Sequence, residues 1–129
     1  MDFKDKRPIY VQIADRISDN IIRGIHAPDT RIPSVRDYSA MLEVNINTVM
    51  RSFELLQRQE VIYNKRGLGY FVSADAPERI AAARRERFIS EEVPQFFEQA
   101  DLLGITADEL GKMYETYKSK KDINDDGRD

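Results

Sequence analysis

Apolar residues recur three and four positions apart in the first part of the chain, and this period predicts amphipathic helices. The first predicted helix begins at Pro8 and stops at Gly24, because proline suits a first helical turn and glycine adopts the left-handed conformation that ends a helix. Its apolar positions are Ile9, Ile13, Ile17 and Ile21. Their regular spacing predicts that one side of this helix packs into a core.

Two more helices with a sharp turn between them are predicted next. Ser34 and Asp37 have the spacing of a capping box, which marks the start of a short helix that ends near Val44. Asn45 can cap the following helix. The apolar side of that helix is formed by Val49, Phe53 and Leu56. A short helix, a turn and a second helix are the elements of a helix-turn-helix.

After Gln59 the pattern changes from a helical period to the alternation of strands. The segments VIYN and GYFVS are separated by Lys65, Arg66, Gly67 and Leu68, and this arrangement predicts a β-hairpin with a basic tip.

Beyond a short linker at 73–77 the pattern is helical again. A long amphipathic helix is expected from Glu78 to Gly104, with a kink near Ser90 or a new start capped by Ser90, because Pro94 cannot donate a helical hydrogen bond. Thr106 opens a last helix with a second capping box. The predicted organisation is a first domain at 1–75, a helical region at 76–121 and a disordered acidic tail at 122–129.

Composition excludes several classes of protein and site. The 129 residues include no cysteine and one histidine, so thiolate metal sites, disulfides and most hydrolytic centres are not expected. Adjacent carboxylates such as Glu91 and Glu92 have no histidine or glycine-rich loop beside them, so we expect no catalytic residue, no metal site and no cofactor. The start has no secretory pattern and no apolar run is long enough to cross a membrane, which predicts a cytoplasmic protein.

The candidate chemistry lies on the polar side of the third predicted helix. At about 100° per residue, Asn47 and Arg51 project opposite the apolar side, and Thr48 lies at its flank. Asparagine can bridge an adenine edge, arginine a guanine edge, and threonine suits a phosphate. A solvated surface helix can carry the same residue types, so this helix alone leaves both interpretations open.

Two neighbouring elements favour DNA. Ser34 and Arg36 stand at the start of the second helix, where amides and a guanidinium would meet the DNA backbone. Lys65 and Arg66 occupy the hairpin tip, from which basic side chains can reach phosphate or a minor groove. The chain carries a net charge of −3, so these basic positions matter more than the total.

The run RIPSVRDYSAMLEVNINTVMRSFELLQRQEVIYNKRGLGYFV resembles the winged helix-turn-helix of the GntR family of bacterial transcription regulators, and PIYVQIADRISDNIIRG resembles its first helix. The order of a Pro-Ser-x-Arg start, a Val-Asn-x-Asn-Thr-Val turn and a Gly-x-Gly wing carries the resemblance. The Asn-x-Asn-Thr form and the short C-terminal part are similar to the YtrA-like subfamily. The resemblance implies a mainly α fold with a small β-hairpin wing, followed by two to three helices that serve dimerisation.

The resemblance also implies site residues. The DNA contacts would come from the second helix, the recognition helix at about 45–59 and the wing at about 61–73. These residues are Ser34, Arg36, Asn45, Asn47, Thr48, Arg51, Lys65, Arg66 and Gly67. The chain departs from the family where Ile46 replaces a usual proline, Asp29 and Glu60 replace usual glycines, and Tyr70 replaces a small residue. These changes bear on loop shape and base preference.

The apolar stripe of the C-terminal helices is expected to pack against a second copy, since two helices alone bury little area. The expected interface residues are Ile89, Val93, Phe96, Phe97, Ala100, Leu103, Leu110, Met113, Tyr114 and Tyr117. The sequence thus predicts a homodimeric regulator, a repressor that binds a palindromic operator in double-stranded DNA, with no membrane partner and an unknown small-molecule effector. The alternative is a helical protein-interaction module on a winged-helix scaffold without specific DNA binding.

Overall fold

A computed structural model describes residues 5–126, which form six α-helices and a two-stranded sheet. The described residues divide into two compact units between Arg85 and Glu86. In chain order the elements are α1 Ile9–Ile22, α2 Val35–Leu42, α3 Ile46–Arg58, β1 Ile62–Lys65, β2 Gly69–Val72, α4 Ala76–Arg87, α5 Val93–Leu102 and α6 Ala107–Asp126, with a π-helical turn, Phe88–Glu92, between α4 and α5. The predicted fold of three helices and a hairpin followed by helices is confirmed.

The core of the first unit forms where α1 and α2 pack on α3. Val49, Phe53 and Leu56 are fully buried, which confirms the predicted apolar side of α3. The ring of Phe53 makes edge-to-face contacts with Tyr38 and Tyr70, at centroid distances of 5.9 Å and 4.9 Å. Buried apolar area of this kind fixes which side of α3 remains outside.

The predicted apolar side of α1 is correct except at its first position. Ile13, Ile17 and Ile21 are buried, whereas Ile9 is 49% exposed. Four residues advance a helix by about 400°, so a strict spacing of four drifts by about 40° at each step. The drift carries the first isoleucine out of the core.

Both predicted caps of the helix-turn-helix are present. The Ser34 hydroxyl accepts a hydrogen bond from the Asp37 backbone N–H at 3.0 Å, and the Asp37 carboxylate accepts one from the Ser34 N–H at 3.1 Å. Asn45 caps α3 by accepting from the Asn47 N–H at 2.8 Å. Between the helices, Glu43 closes α2 in a left-handed conformation with φ 54°. The turn between α2 and α3 is therefore held from both sides.

The hairpin is antiparallel, and Lys65 pairs with Gly69 at its tip. A further segment, which no local sequence pattern predicts, pairs with the outer edge of β2. The Asp29 N–H donates to the Val72 carbonyl at 2.8 Å, and the Val72 N–H donates to the Thr30 carbonyl at 2.9 Å. Farther along, the Ile32 N–H donates to the Tyr70 carbonyl at 3.0 Å. The loop before α2 thus holds the wing against the helices.

Asp29 and Glu60, the two positions where the family resemblance implies glycine, both have left-handed backbones, with φ 61° and 60°. Side chains with a Cβ are disfavoured in this region. Asp29 and Glu60 therefore adopt the left-handed backbone that the family's glycines would adopt at these positions. Each side chain has a partner: Asp29 accepts a hydrogen bond from the Tyr63 hydroxyl at 3.2 Å, and Glu60 pairs with Arg79 at 2.8 Å.

Helix α4 begins within the first unit. Ala76 and Ile80 are buried in the same core as α1 and α3. Arg84 adds an ion pair to Asp19 of α1 at 2.7 Å. The division between the units thus lies beyond the predicted domain boundary at residue 75, and dimerisation by 76–121 stays a prediction.

In the second unit the helix is interrupted near Ser90, as expected from Pro94. The Val93 N–H donates to the Phe88 carbonyl, five residues back, so the π-helical turn accommodates the proline, which has no N–H for the Ser90 carbonyl. The expectation that Ser90 caps a new helix is wrong, because its hydroxyl donates backwards to the Arg87 carbonyl at 3.3 Å. The residue preceding α5 is Glu92.

Helix α6 starts where predicted, and the Thr106 hydroxyl accepts from the Glu109 N–H at 3.2 Å, which is one of the two hydrogen bonds of the predicted capping box. The helix runs to Asp126, so the disordered tail predicted from residue 122 is corrected for 122–126. Residues 127–129 of that prediction lie outside the described residues. None of the helices at 5–126 is long and apolar enough to cross a membrane.

Candidate nucleic-acid interface

The exposed side of α3 is the centre of the candidate site. Its fully buried stripe leaves Asn47 and Arg51 exposed and Thr48 half-buried, which agrees with the helical projection. Asn45 lies at the start of the helix, where its Oδ1 accepts the capping hydrogen bond and its side-chain NH2 group is left as a donor. Asn47 and Arg51 contribute the other exposed hydrogen-bonding groups of this side of α3.

The start of α2 supplies a second group of candidates. Ser34 is half-buried and committed to the capping box, whereas Arg36 is exposed two positions later. The hydrogen bond from the Ser34 backbone N–H is the main cause that lowers the pKa of Asp37 below its usual value, so this carboxylate is charged at neutral pH. The negative Asp37 stabilises the helix start, and Arg36 is an exposed cationic side chain beside it.

Arg51 has a contact that the sequence did not reveal. Its guanidinium carbon lies 4.3 Å from the ring centroid of Tyr10 on α1, within the range of a cation–π interaction. The Ser52 hydroxyl donates to the Tyr10 carbonyl at 2.7 Å and fixes the backbone that carries this ring. Tyr10 is thus a residue that sequence reasoning missed, since nothing local links it to Arg51.

The wing places its lysine on an aromatic platform. Tyr63 and Phe71 are cross-strand partners whose rings stack at 5.8 Å, and the Lys65 ammonium lies 4.6 Å from the Phe71 centroid. Partial desolvation, followed by the hydrogen bond to Asp29, raises the pKa of the Tyr63 hydroxyl. These contacts hold Lys65 near the tip of the hairpin.

Glycine is required twice at this tip. Gly67 has φ 79° and stands in the turn that the Leu68 N–H closes onto the Lys65 carbonyl at 2.9 Å. Gly69 has φ 115°, and a Cβ there would lie 3.0 Å from the Arg31 Nε. Arg66 is exposed beside Gly67. Both glycines of the Gly-x-Gly spacing therefore have backbones that disfavour a Cβ, and the Arg31 side chain also limits the room at Gly69.

The predicted DNA-contact residues all belong to the first unit, on α2, on α3 with its cap and on the wing. Helix α3 packs on α2 and is followed directly by β1, so these three elements form one continuous part of the fold. Among the described residues, no group of three or more acidic or histidine side chains has an arrangement that would hold a metal ion. The arrangement suits contact with a polyanion through hydrogen-bond donors and cations.

The family described as bacterial regulatory proteins, gntR family, matches residues 9–72. The transcriptional repressor YtrA of Bacillus subtilis is 30% identical over 118 residues, covering 92% of this chain and 88% of the relative. The chain belongs to the GntR family. As a member, it is a transcriptional regulator with a winged helix-turn-helix.

Solved structures agree with this assignment. A GntR-family structure from Bacteroides thetaiotaomicron has 51% sequence identity and a TM-score of 0.73, and the match covers 88% of this regulator and 99% of that chain. The DNA-binding domain of AraR in complex with an operator has 29% identity and a TM-score of 0.51, over 54% of this chain and 83% of that one. The protein-interaction alternative is not favoured, because this fold belongs to a family of transcriptional regulators.

Proposed function

We propose that this GntR-family protein is a homodimer that binds a palindromic operator and represses transcription by occluding a promoter. The observation that carries the proposal is α3, whose capped start and fully buried stripe present Asn47 and Arg51 on the exposed side. Side chains of these types bridge adenine and guanine edges in a major groove. Double-stranded DNA is thus the partner.

The other candidates have positioning roles in this proposal. Arg36 at the start of α2 and Lys65 with Arg66 at the wing contact phosphates or an adjacent minor groove. Ser34 and Gly67 shape the elements that carry these cations. The operator complex of AraR supports the same use of a related domain.

Dimerisation is supported by the second unit, where large apolar side chains remain exposed. Phe96 and Phe97 are 54% and 55% exposed, and Tyr114 is 64% exposed. An apolar hollow of about 320 Å³ lies on this unit and is lined by Phe88, Glu92, Val93 and Phe96. The other predicted interface residues with half or more of their surface exposed are Leu103, Met113 and Tyr117. A second copy that covers them would supply the second recognition helix that a palindrome requires, since its half-sites lie in successive major grooves about 34 Å apart.

Three interface candidates are less exposed, and one of them is Val93, which is half-buried. Leu110 is half-buried, and Ala100 is already covered, with 5% of its surface exposed. Ala100 therefore contributes little area to an interface. Ile89, at 46%, lies in the π-helical turn.

The proposed activity needs no catalysis and no cofactor, because binding alone blocks a promoter. The relative YtrA is named a repressor, which supports repression as the mode of regulation. The site of action is the cytoplasm, where bacterial DNA lies. No effector is assigned to the protein.

The test compares Arg51→Ala with Arg16→Ala, which removes an exposed arginine from α1 as a matched control. Arg51→Ala weakens binding to a selected operator by about 1–3 kcal/mol and relaxes base choice at one position, whereas Arg16→Ala leaves both unchanged. Fluorescence anisotropy on single-base operator variants measures both effects. Unchanged affinity and base choice in Arg51→Ala would refute the assignment of α3.

A further inference from the structure

Helix α3 carries two exposed apolar side chains that the roles above do not explain. Ile46 is 45% exposed and Met50 is 38% exposed, whereas Val49 between them is fully buried. Positions separated by four are neighbours on a helix surface, one turn apart. Ile46 and Met50 therefore form one apolar edge turned out of the core.

This edge is continuous with the proposed base-reading residues. Asn47 follows Ile46, Arg51 follows Met50, and both polar residues are exposed. The four side chains make a strip, half apolar and half hydrogen-bonding, over the first turns of α3. A major groove presents a matching mixture, because the C5-methyl group of thymine is an apolar group among hydrogen-bonding base edges.

We propose that Ile46 and Met50 contact thymine methyl groups and so require thymines beside the bases that Asn47 and Arg51 read. The inference rests on the proposed function and adds a feature of the operator to it. The branched Ile46 is stiff at χ1 and defines one contact, while the unbranched Met50 adapts to the groove floor. Burial of each methyl group against them removes apolar surface from water.

DNA is the occupant favoured for this edge because the edge shares its helix turns with Asn47 and Arg51. A protein partner seated on Ile46 and Met50 would cover those hydrogen-bonding groups as well. The large exposed aromatic side chains available for a second copy, such as Phe97, lie in the second unit.

The test replaces each thymine of the operator, selected from random DNA by the full chain, with deoxyuridine. This change removes the methyl group and keeps every hydrogen-bonding group of the base. We expect one or two positions in each half-site at which the replacement weakens binding about fourfold, the change that burial of one methyl group corresponds to. Anisotropy titration of each duplex measures it.

Three variants complete the experiment. Ile46→Ala and Met50→Ala each abolish the uracil penalty at their own thymine, whereas Ile22→Ala, which truncates a side chain 51% exposed on α1, leaves every penalty in place. Alanine favours helix at these exposed positions, and thermal unfolding followed by circular dichroism confirms that the variants fold.

Two outcomes overturn the inference while the proposed function stands: the parent binds its operator and no uracil weakens it, or the penalties persist unchanged in both Ile46→Ala and Met50→Ala. If the chain selects no sequence from random DNA, the proposed function fails and this inference fails with it.

Discussion

Within residues 5–126, three residues other than glycine hold left-handed backbones: Asp29, Glu43 and Glu60, with φ 61°, 54° and 60°. The conformation costs about 1–2 kcal/mol for a side chain with a Cβ. Each lies in a connection between elements: Asp29 in the loop before α2, Glu43 between α2 and α3, and Glu60 before the wing. The strained backbones of these residues keep the turns that position the elements of the candidate site.

Glu43→Gly should relieve this strain. We expect its free energy of unfolding to rise by about 0.5–1 kcal/mol, because the relief exceeds the entropy that glycine adds to the unfolded chain. Glu60→Gly should gain less, since it also removes the ion pair with Arg79. Urea unfolding measures both changes.

The control is Glu54→Gly, in the exposed interior of α3, which should lose about 1 kcal/mol. A Glu43→Gly protein that is less stable than the parent would show that this turn does not hold the conformation described.

Tyr10 should act on DNA through Arg51. Tyr10→Leu is expected to weaken operator binding about two- to fivefold, the size of an exposed cation–π contact, whereas Tyr10→Phe keeps the ring and the affinity. In a double-mutant cycle the loss vanishes when Arg51 is already alanine. Additive losses in the cycle would mean that Tyr10 acts independently of Arg51.

At the scale of elements, the capping box that starts α2 predicts a pH dependence. The pKa of Asp37 is lowered, first by the backbone hydrogen bond from Ser34, so its contribution to stability is present above the unfolded value of about 3.8 and is lost as pH falls through the folded value. Asp37→Asn should therefore melt below the parent at pH 6, and the gap should close below about pH 4. Melting curves across this range measure it; a gap independent of pH would contradict the capping role.

Elements with local causes could be predicted from the sequence. The caps at Ser34 and Asn45, the buried stripe of α3 and the hairpin follow from spacings of a few residues, and the structure has each of them. The pairing of Asp29 and Thr30 with β2 could not be predicted, because it joins short segments that are distant in sequence.

The same distinction holds in the candidate site. The exposed side of α3 follows from periodicity, so Asn47 and Arg51 could be found from the sequence alone. The contact of Arg51 with the Tyr10 ring depends on how α1 packs on α3. The contact of Lys65 with the Phe71 ring depends on the register of the two strands. Neither tertiary arrangement is encoded in a local pattern.

At the scale of the whole molecule, the two units have different proposed roles. The first unit holds the proposed DNA contacts, and the second exposes the apolar side chains proposed for dimerisation. A net charge of −3 does not oppose DNA binding, because the cations proposed for contact lie on α2, on α3 and at the wing.

Dimerisation predicts a specific response to charge. Phe96→Asp places a carboxylate in the exposed apolar surface of the second unit and should convert a dimer to a monomer at micromolar concentration. Ile22→Asp, which adds the same charge to an exposed position on α1, should leave the dimer intact. Light scattering gives the mass; a parent that is already monomeric would refute the interface.

The most direct test of the central claim is selection of bound sequences from random double-stranded DNA by the full chain. We expect an enriched palindrome whose half-sites lie about one helical turn, or 34 Å, apart, because a twofold dimer presents two copies of α3. The same base preference in Arg51→Ala as in the parent, or the absence of any enriched sequence, would contradict the account.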